Sequence, residues 1–163
     1  MDRRQIGLKL IMDQLDQQVK VDTFEDRLIL QKTVYLADAA GVHLGYFFRW
    51  YLRGPYCPDV ADDGFAVALD VAWKLDDSNR WNLDDVSCKR LAKLRPLLTC
   101  EDRAKLALRL ELLASVHYLI ERKQVKDTSV ETITRKLRAC DKPFSQEQVN
   151  AALQELRDYG ILT

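Results

Sequence analysis

Glycine and proline are scarce in this sequence, and long apolar runs are absent. Six glycines and four prolines in 163 residues favour long helices over an architecture of short strands and turns. No apolar stretch approaches the roughly 18 residues that a membrane-spanning helix needs. Residues 1–6 lead into an amphipathic pattern and not into the apolar core of a secretory signal. We therefore expect a cytoplasmic, mainly helical protein that does not span a membrane.

The sequence also lacks the short motifs that mark common catalytic and metal sites. It contains no glycine-rich phosphate loop, no G-x-S-x-G elbow and no H-E-x-x-H helix. The cysteines form no Cys-x-x-Cys pair, so we expect reduced thiols; they are Cys57, Cys88, Cys100 and Cys140. Only His43 and His117 could serve a thiol as a base, and neither sits in a recognisable triad pattern. We predict no catalytic residue, no metal site and no cofactor.

Charge is plentiful but unevenly distributed along the chain. Residues 1–85 carry 10 Lys and Arg against 15 Asp and Glu, whereas residues 86–163 carry 15 against 10. Such a division predicts polar binding surfaces. Asp59, Asp62 and Asp63 cluster at the start of one predicted helix, where the helix dipole alone favours carboxylates. They form either a solvated helix face or an acidic surface that meets a basic partner or imitates nucleic acid.

Apolar spacing predicts helices along most of the chain. The predicted helices cover residues 3–19, 24–40, 58–72, 83–98 with an interruption near Pro96, and 100–123 with Thr99 as the opening residue. The aromatic run at 46–52 predicts a strand, closed by a turn at 53–56. The predicted fold is mainly α, a compact helical bundle with a short β element near 46–52.

The tail, residues 126–163, has the most detailed local pattern. Ser145 is placed as a helix N-cap, Gln148 as the residue that bonds back to it, and Gly160 as the left-handed stop. With the shorter apolar stripe before it, this helix predicts a helix-turn-helix-like pair. We expect residues 1–125 to form one helical domain with the tail packed on it as a single compact unit.

Two stretches resemble the signature of a bacterial protein family. Residues 31–37 read Gln-Lys-Thr-Val-Tyr-Leu-Ala, and residues 53–60 read Arg-Gly-Pro-Tyr-Cys-Pro-Asp-Val. They are similar to a helix and a turn of the YwgA-like proteins, which are largely uncharacterised. Panacea-type antitoxin domains have a related pattern, as does the C-terminal domain of the antitoxin that neutralises DNA ADP-ribosyltransferase toxins. The chain departs from the family at Cys57, where a Ser is usual.

This resemblance covers about residues 5–75 and implies a mostly helical domain without known catalysis, acting in toxin neutralisation or phage defence. Our first functional hypothesis is therefore a binding protein that engages a protein partner, such as a toxin or a defence component. The residues predicted to bind it are Arg49, Arg53, Gly54, Pro55, Tyr56, Asp59, Asp62 and Asp63. The Gly-Pro-Tyr turn can equally be structural, since glycine supplies backbone freedom and proline a fixed φ.

A DNA-binding transcriptional regulator that uses residues 129–157 is the alternative. Basic side chains of the tail would contact phosphates and amides of its last helix would read base edges. The phosphate candidates are Arg135, Lys136, Arg138 and Lys142, and the base-reading candidates are Gln146, Asn150 and Gln154. Both hypotheses are compatible with a homo-oligomer.

Overall fold

The computed structural model describes all 163 residues, which form eight helices and one small sheet. The helices are α1 (Arg3–Gln14), α2 (Phe24–Ala39), α3 (Pro58–Ala72), α4 (Asp85–Ala92), α5 (Arg95–Leu98), α6 (Arg103–Glu121), α7 (Val130–Ala139) and α8 (Gln146–Asp158). The strands are β1 (Arg49–Tyr51) and β2 (Gly54–Tyr56), and a 3₁₀ turn covers Ser78–Arg80. The predicted mainly α fold with a short β element is confirmed.

Helices α2 and α6 pack against each other at the centre of the molecule. Helix α2 begins at Thr23, whose hydroxyl accepts the N–H of Asp26 while the Asp26 carboxylate accepts the N–H of Thr23. From residue 28 to residue 37 every side chain is buried, as in a helix that is covered on all sides. Helices α1 and α3 pack on one side of this centre, and α8 packs on α6. No helix is both long enough and apolar enough to cross a bilayer.

A β-hairpin replaces the single strand that the sequence predicted. β1 and β2 pair antiparallel, with Trp50 opposite Pro55, and residues 52–53 form the turn between them. The strand predicted near 46–52 is present but limited to residues 49–51, and the turn predicted over 53–56 was wrong beyond residue 53, because Gly54 already begins the second strand. Gly54 adopts a φ of 89° directly after the turn. Pro55 lacks an N–H group, and it is tolerated because each strand of a two-stranded sheet is an edge strand.

Two helix ends differ from the sequence predictions for local reasons. Helix α1 stops at Gln14 and not at residue 19, because Asp16 takes a left-handed φ of 55° and the N–H of Gln17 bonds the carbonyl of Met12 at 2.9 Å. Helix α6 is capped by Asp102, whose carboxylate accepts the N–H of Lys105 at 3.2 Å. The cap predicted at Thr99 was therefore wrong.

The tail forms the predicted pair of helices. Ser145 and Gln148 make the reciprocal capping bonds at the start of α8. At its end, Gly160 has a φ of 71° and the N–H of Ile161 bonds the carbonyl of Leu156 at 2.8 Å, which is a Schellman motif. One hydrophobic cluster contains residues of the tail, such as Leu153, together with residues of the central helices. The tail and residues 1–125 thus share a core.

Candidate functional site

The two stretches that carry the family resemblance lie against each other. The side chain of Gln31 on α2 donates from Nε2 to the carbonyl of Cys57 at 2.8 Å and accepts the N–H of Cys57 on Oε1 at 3.0 Å. Both bonds are buried, and a buried backbone group without a partner costs about 1–3 kcal/mol. One carboxamide therefore satisfies the backbone at the junction between β2 and α3 and fixes it to α2.

Lys32, the next residue on α2, anchors the hairpin from the same side. Its side chain is buried, and Nζ donates to the carbonyl of Pro55 at 2.6 Å. Burial lowers the pKa of Lys32 to about 7; Glu111 opposes this change and Lys142 adds to it. Because a neutral amine still carries N–H groups, the bond to Pro55 does not require the charged form. Lys32 holds the hairpin in place in both protonation states.

Lys142 reaches the hairpin from the start of the α7–α8 connection. Its Nζ donates to Glu111 Oε1 on α6 at 2.8 Å and to the carbonyl of Leu52 at 2.8 Å, and it lies 5.6 Å from the centre of the Trp50 ring. Lys142 and Glu111 are both buried. The sequence predicted Lys142 as a phosphate contact, but its ammonium is enclosed and bonded and is not free to meet a phosphate. We call Gln31, Lys32, Glu111 and Lys142 the buried polar cluster.

Beside the hairpin lies an open groove with a volume of about 380 Å³, whose floor includes Gln31 and Lys32 of the buried polar cluster. Its walls come from α2, the hairpin and the first half of α3, and 9 of its 13 lining residues are hydrophobic. Four aromatic rings are among them: Phe24, Tyr51, Tyr56 and Phe65. An apolar cavity of about 150 Å³ holds one benzene ring, so this groove has room for about two large side chains. Exposed apolar concavities of this kind mark binding surfaces.

The charged residues that line the groove are all cationic. They are Arg27 and Arg53, together with the buried amine of Lys32, and no Asp or Glu is among the lining residues. Arg27 Nη1 donates to the carbonyls of Val21 at 2.8 Å and Asp22 at 3.3 Å. The guanidinium of Arg53 lies 5.5 Å from the centre of the Phe24 ring. The groove is therefore locally positive within the acidic half of the chain.

Exposed apolar residues continue along α3 beyond the groove. Phe65, Leu69 and Trp73 follow one another at intervals of four residues, which places them on one side of the helix. Each is at least half exposed. Phe65 also lines the groove, so this row of exposed apolar side chains begins at the groove wall.

The residues predicted to bind a protein partner separate into an exposed and a buried set. The exposed or half-exposed members are Arg49, Arg53, Tyr56, Asp59 and Asp62, and the buried members are Gly54, Pro55 and Asp63. Tyr56 lines the groove and stacks near Tyr51 with ring centres 5.4 Å apart. Gly54 and Pro55 carry the backbone that the buried polar cluster holds. The predicted region therefore combines a contact surface with its support.

Asp63 belongs to the support. Its Oδ2 accepts from the Tyr46 hydroxyl at 2.8 Å and from Arg4 Nε at 2.7 Å, while Oδ1 accepts from Gln5 at 3.2 Å. Burial, together with this carboxylate, raises the pKa of Tyr46 above its usual value, so the hydroxyl remains a donor. The bonds to Asp63 tie α1 to α3, and Asp63 is not free to meet a partner.

The side chains predicted to contact DNA lie on α7 and α8, apart from Lys142. Arg135, Lys136 and Arg138 are exposed on α7. Gln146, Asn150 and Gln154 are exposed on α8, where Gln154 donates to Asp158 at 2.7 Å. The three cations have no carboxylate within 4.0 Å. Helix α8 also carries exposed acidic residues, among them Glu147, which gives this face both charge signs.

Neither imidazole lies in hydrogen-bonding contact with Cys57. His117 is buried and its Nδ1 lies 2.7 Å from the Tyr35 hydroxyl, and burial lowers the pKa of His117, which favours the neutral ring. His43 is exposed and pairs with Asp38 at 2.8 Å. No three His, Cys, Asp or Glu side chains gather as the ligands of a metal ion would.

Sequence reasoning missed the aromatic walls of the groove. Phe24 and Phe65 lie in the helices predicted over 24–40 and 58–72 from their apolar spacing, yet they are 51% and 50% exposed. A signal was present in α3, where apolar residues surround more of the helix than one buried stripe requires. Which side of α3 faces solvent depends on how α1 and α2 pack against it, and the sequence alone does not give that packing.

Comparison of the chain with protein-family models, with curated proteins and with solved structures yields no match.

Proposed function

We propose that this chain is a cytoplasmic, non-catalytic binding protein that engages a protein partner at the groove between α2, the hairpin and α3. The observation that carries the proposal is the combination of an open apolar groove with a hairpin wall held by the buried polar cluster. A wall that is fixed before binding loses little conformational freedom on binding. The resemblance to YwgA-like and antitoxin-associated domains supports a toxin or defence component as the partner.

Exposed aromatic residues supply the contact area that such an interface needs. Tyr51 and Phe65 project into solvent beside Tyr56, and Tyr and Arg are the residue types that dominate binding energy at protein interfaces. Arg53 stands at the edge of these rings. The residues that would bind the partner are thus Arg53, Tyr56, Tyr51 and Phe65.

Site-specific photo-crosslinking tests this proposal with a matched control. A benzophenone amino acid replaces either Phe65 in the groove or Leu108 on α6, which are 50% and 52% exposed. In cells of the source organism, we expect the Phe65 position and not the Leu108 position to form a crosslink to one defined protein. Tyr56→Ala should then weaken binding of that purified protein by about 30-fold, as truncation of a central aromatic does. Equal crosslinking from both positions, or unchanged binding by Tyr56→Ala, would contradict the proposal.

A DNA-binding regulator is the second candidate. It is favoured by three exposed cations of α7 without carboxylate partners, next to exposed amides of α8. Binding of this kind falls steeply as salt is added, because cations that contact phosphates release counterions. We expect Arg135→Glu with Lys136→Glu to abolish it. Negligible binding to duplex DNA at low salt would exclude this candidate.

A further inference from the structure

The chemistry of the groove walls defines the kind of segment that fits them. The groove combines an apolar interior, which has room for about two large side chains, with two arginines and no acidic side chain among its lining residues. Residues 1–85 as a whole carry an excess of Asp and Glu. The positive lining is therefore a local reversal of the charge around it.

Neither arginine of the groove is hydrogen-bonded to a carboxylate. Arg27 bonds backbone carbonyls through Nη1, which leaves the rest of its guanidinium free. Arg53 makes only a long ion pair with Glu111, at 4.0 Å, and the other oxygen of Glu111 is bonded to Lys142. Arg27 can therefore bind an external carboxylate without breaking an ion pair, and Arg53 has only this long contact to give up.

From this arrangement we infer that the groove binds a protein segment with an aromatic or large aliphatic anchor next to a carboxylate. The anchor enters between the rings of Phe24, Tyr56 and Phe65, and the carboxylate meets Arg27 and Arg53. This inference rests on the proposed function and adds the chemistry of the partner segment. A guanidinium fork suits a carboxylate in particular, since it can donate two parallel bonds.

A nucleic acid fits the same groove less well. Single strands bind to aromatic platforms along a continuous cationic track, but the exposed residues beside the groove include Asp22, Glu25 and Asp62. A chain of phosphates that left the groove would meet these carboxylates. A protein segment that carries a single carboxylate next to its apolar anchor does not bring further negative charge close to these acidic residues.

Two small probes that differ only in charge test this inference. Indole-3-propionate and its neutral amide, indole-3-propionamide, share the ring and the chain length. Each is titrated into the ¹⁵N-labelled full chain at fixed ionic strength, and backbone amide and arginine Nε–Hε resonances are followed by NMR. We expect both probes to shift resonances of residues 24, 53, 56 and 65, with the acid binding about fivefold more tightly because exposed ion pairs contribute up to about one kcal/mol. The Nε–Hε signals of Arg27 and Arg53 should respond to the acid and not to the amide.

Variants decide whether the arginines cause the preference. Arg27→Gln and Arg53→Gln should each reduce the preference for the acid while the amide binds as before. Arg80→Gln, at an exposed arginine outside the groove, should leave the preference intact.

The possible failures of this inference are distinguishable from a failure of the proposed function. Equal affinity for acid and amide would overturn the carboxylate preference and leave the groove as a binding site. Absence of any shift at the groove, while the Phe65 position still crosslinks to a partner, would overturn this inference alone. If a thymidine oligonucleotide bound the groove more tightly than the acid, the inferred ligand would be a nucleic acid and not a protein segment with a carboxylate.

Discussion

The two faces of the hairpin over residues 49–56 meet contrasting surroundings. On the inner face, the carbonyl of Pro55 accepts from the buried Lys32 and the carbonyl of Leu52 accepts from the buried Lys142. Lys142 also pairs with the carboxylate of Glu111. The outer face exposes Leu52 and Arg53 and forms one wall of the groove. The same short motif therefore divides into residues that hold the structure and residues that are available to a partner. This division predicts that changes on the inner face alter stability and changes on the outer face alter binding.

The largest effect is expected from Glu111→Leu, which leaves buried ammonium groups without their carboxylate. Removal of one partner from a buried ion pair costs about 3–5 kcal/mol, to be measured by urea unfolding. Glu121→Leu at the exposed end of the same helix is the matched control, with an expected change within about 0.5 kcal/mol. The double variant Glu111→Leu with Lys142→Leu should be less destabilised than Glu111→Leu alone. Similar costs for Glu111→Leu and Glu121→Leu would show that the cluster does not hold the hairpin.

The second largest loss of stability is expected from Gln31→Leu. It removes both partners of the Cys57 backbone, and we expect a loss of about 2–3 kcal/mol in the free energy of unfolding. The control is Gln154→Leu, in the middle of α8 and exposed, which should change stability by no more than about 0.5 kcal/mol. An equally small change for Gln31→Leu would contradict the role assigned to its carboxamide.

Lys32 should make stability depend on pH. Its pKa is about 7 in the folded chain against 10.5 as the ordinary value, so between these values the unfolded chain binds more protons. The free energy of unfolding must therefore rise with pH in this window. From pH 7 to pH 9 we expect a gain of about 2 kcal/mol in urea unfolding. In Lys32→Met this gain should disappear, and a rise of the same size in the variant would assign the effect to another group.

The smallest effect on stability is expected from Leu52→Ser. The side chain of Leu52 is 79% exposed, while its backbone carbonyl accepts from Lys142. Because the substitution leaves that carbonyl in place, the free energy of unfolding should change by less than about 0.5 kcal/mol. Affinity for the partner should nevertheless fall, since Leu52 lines the groove. A large loss of stability would show that the outer face also supports the fold.

Local patterns predicted most of the helices. The bounds of α3 and the caps of α8 followed from Pro58, Ser145, Gln148 and Gly160, each of which acts on residues a few positions away. The second strand was missed because Gly-Pro-Tyr is typical of a turn, and the pairing of Pro55 with Trp50 depends on how α2 and α6 pack against that strand.

Residue type and sequence position alone predicted only part of the site. Arg53 and Tyr56 are two of the residues predicted to contact a partner, and both line the groove. The burial of Lys142 could not be predicted, since it depends on a carbonyl 90 residues away in the chain. The exposure of Phe65 likewise depends on which side of α3 the other helices cover.

Arg53→Gln tests the division between the two faces most directly, through two measurements on one variant. Affinity for the protein that crosslinks at position 65 is compared with the urea midpoint of unfolding, and Arg80→Gln serves as the control for the loss of an exposed arginine. We predict that the Kd of Arg53→Gln rises at least about tenfold while its midpoint stays that of the unaltered chain. An unchanged Kd, or a loss of binding that is matched by a loss of stability, would contradict the account.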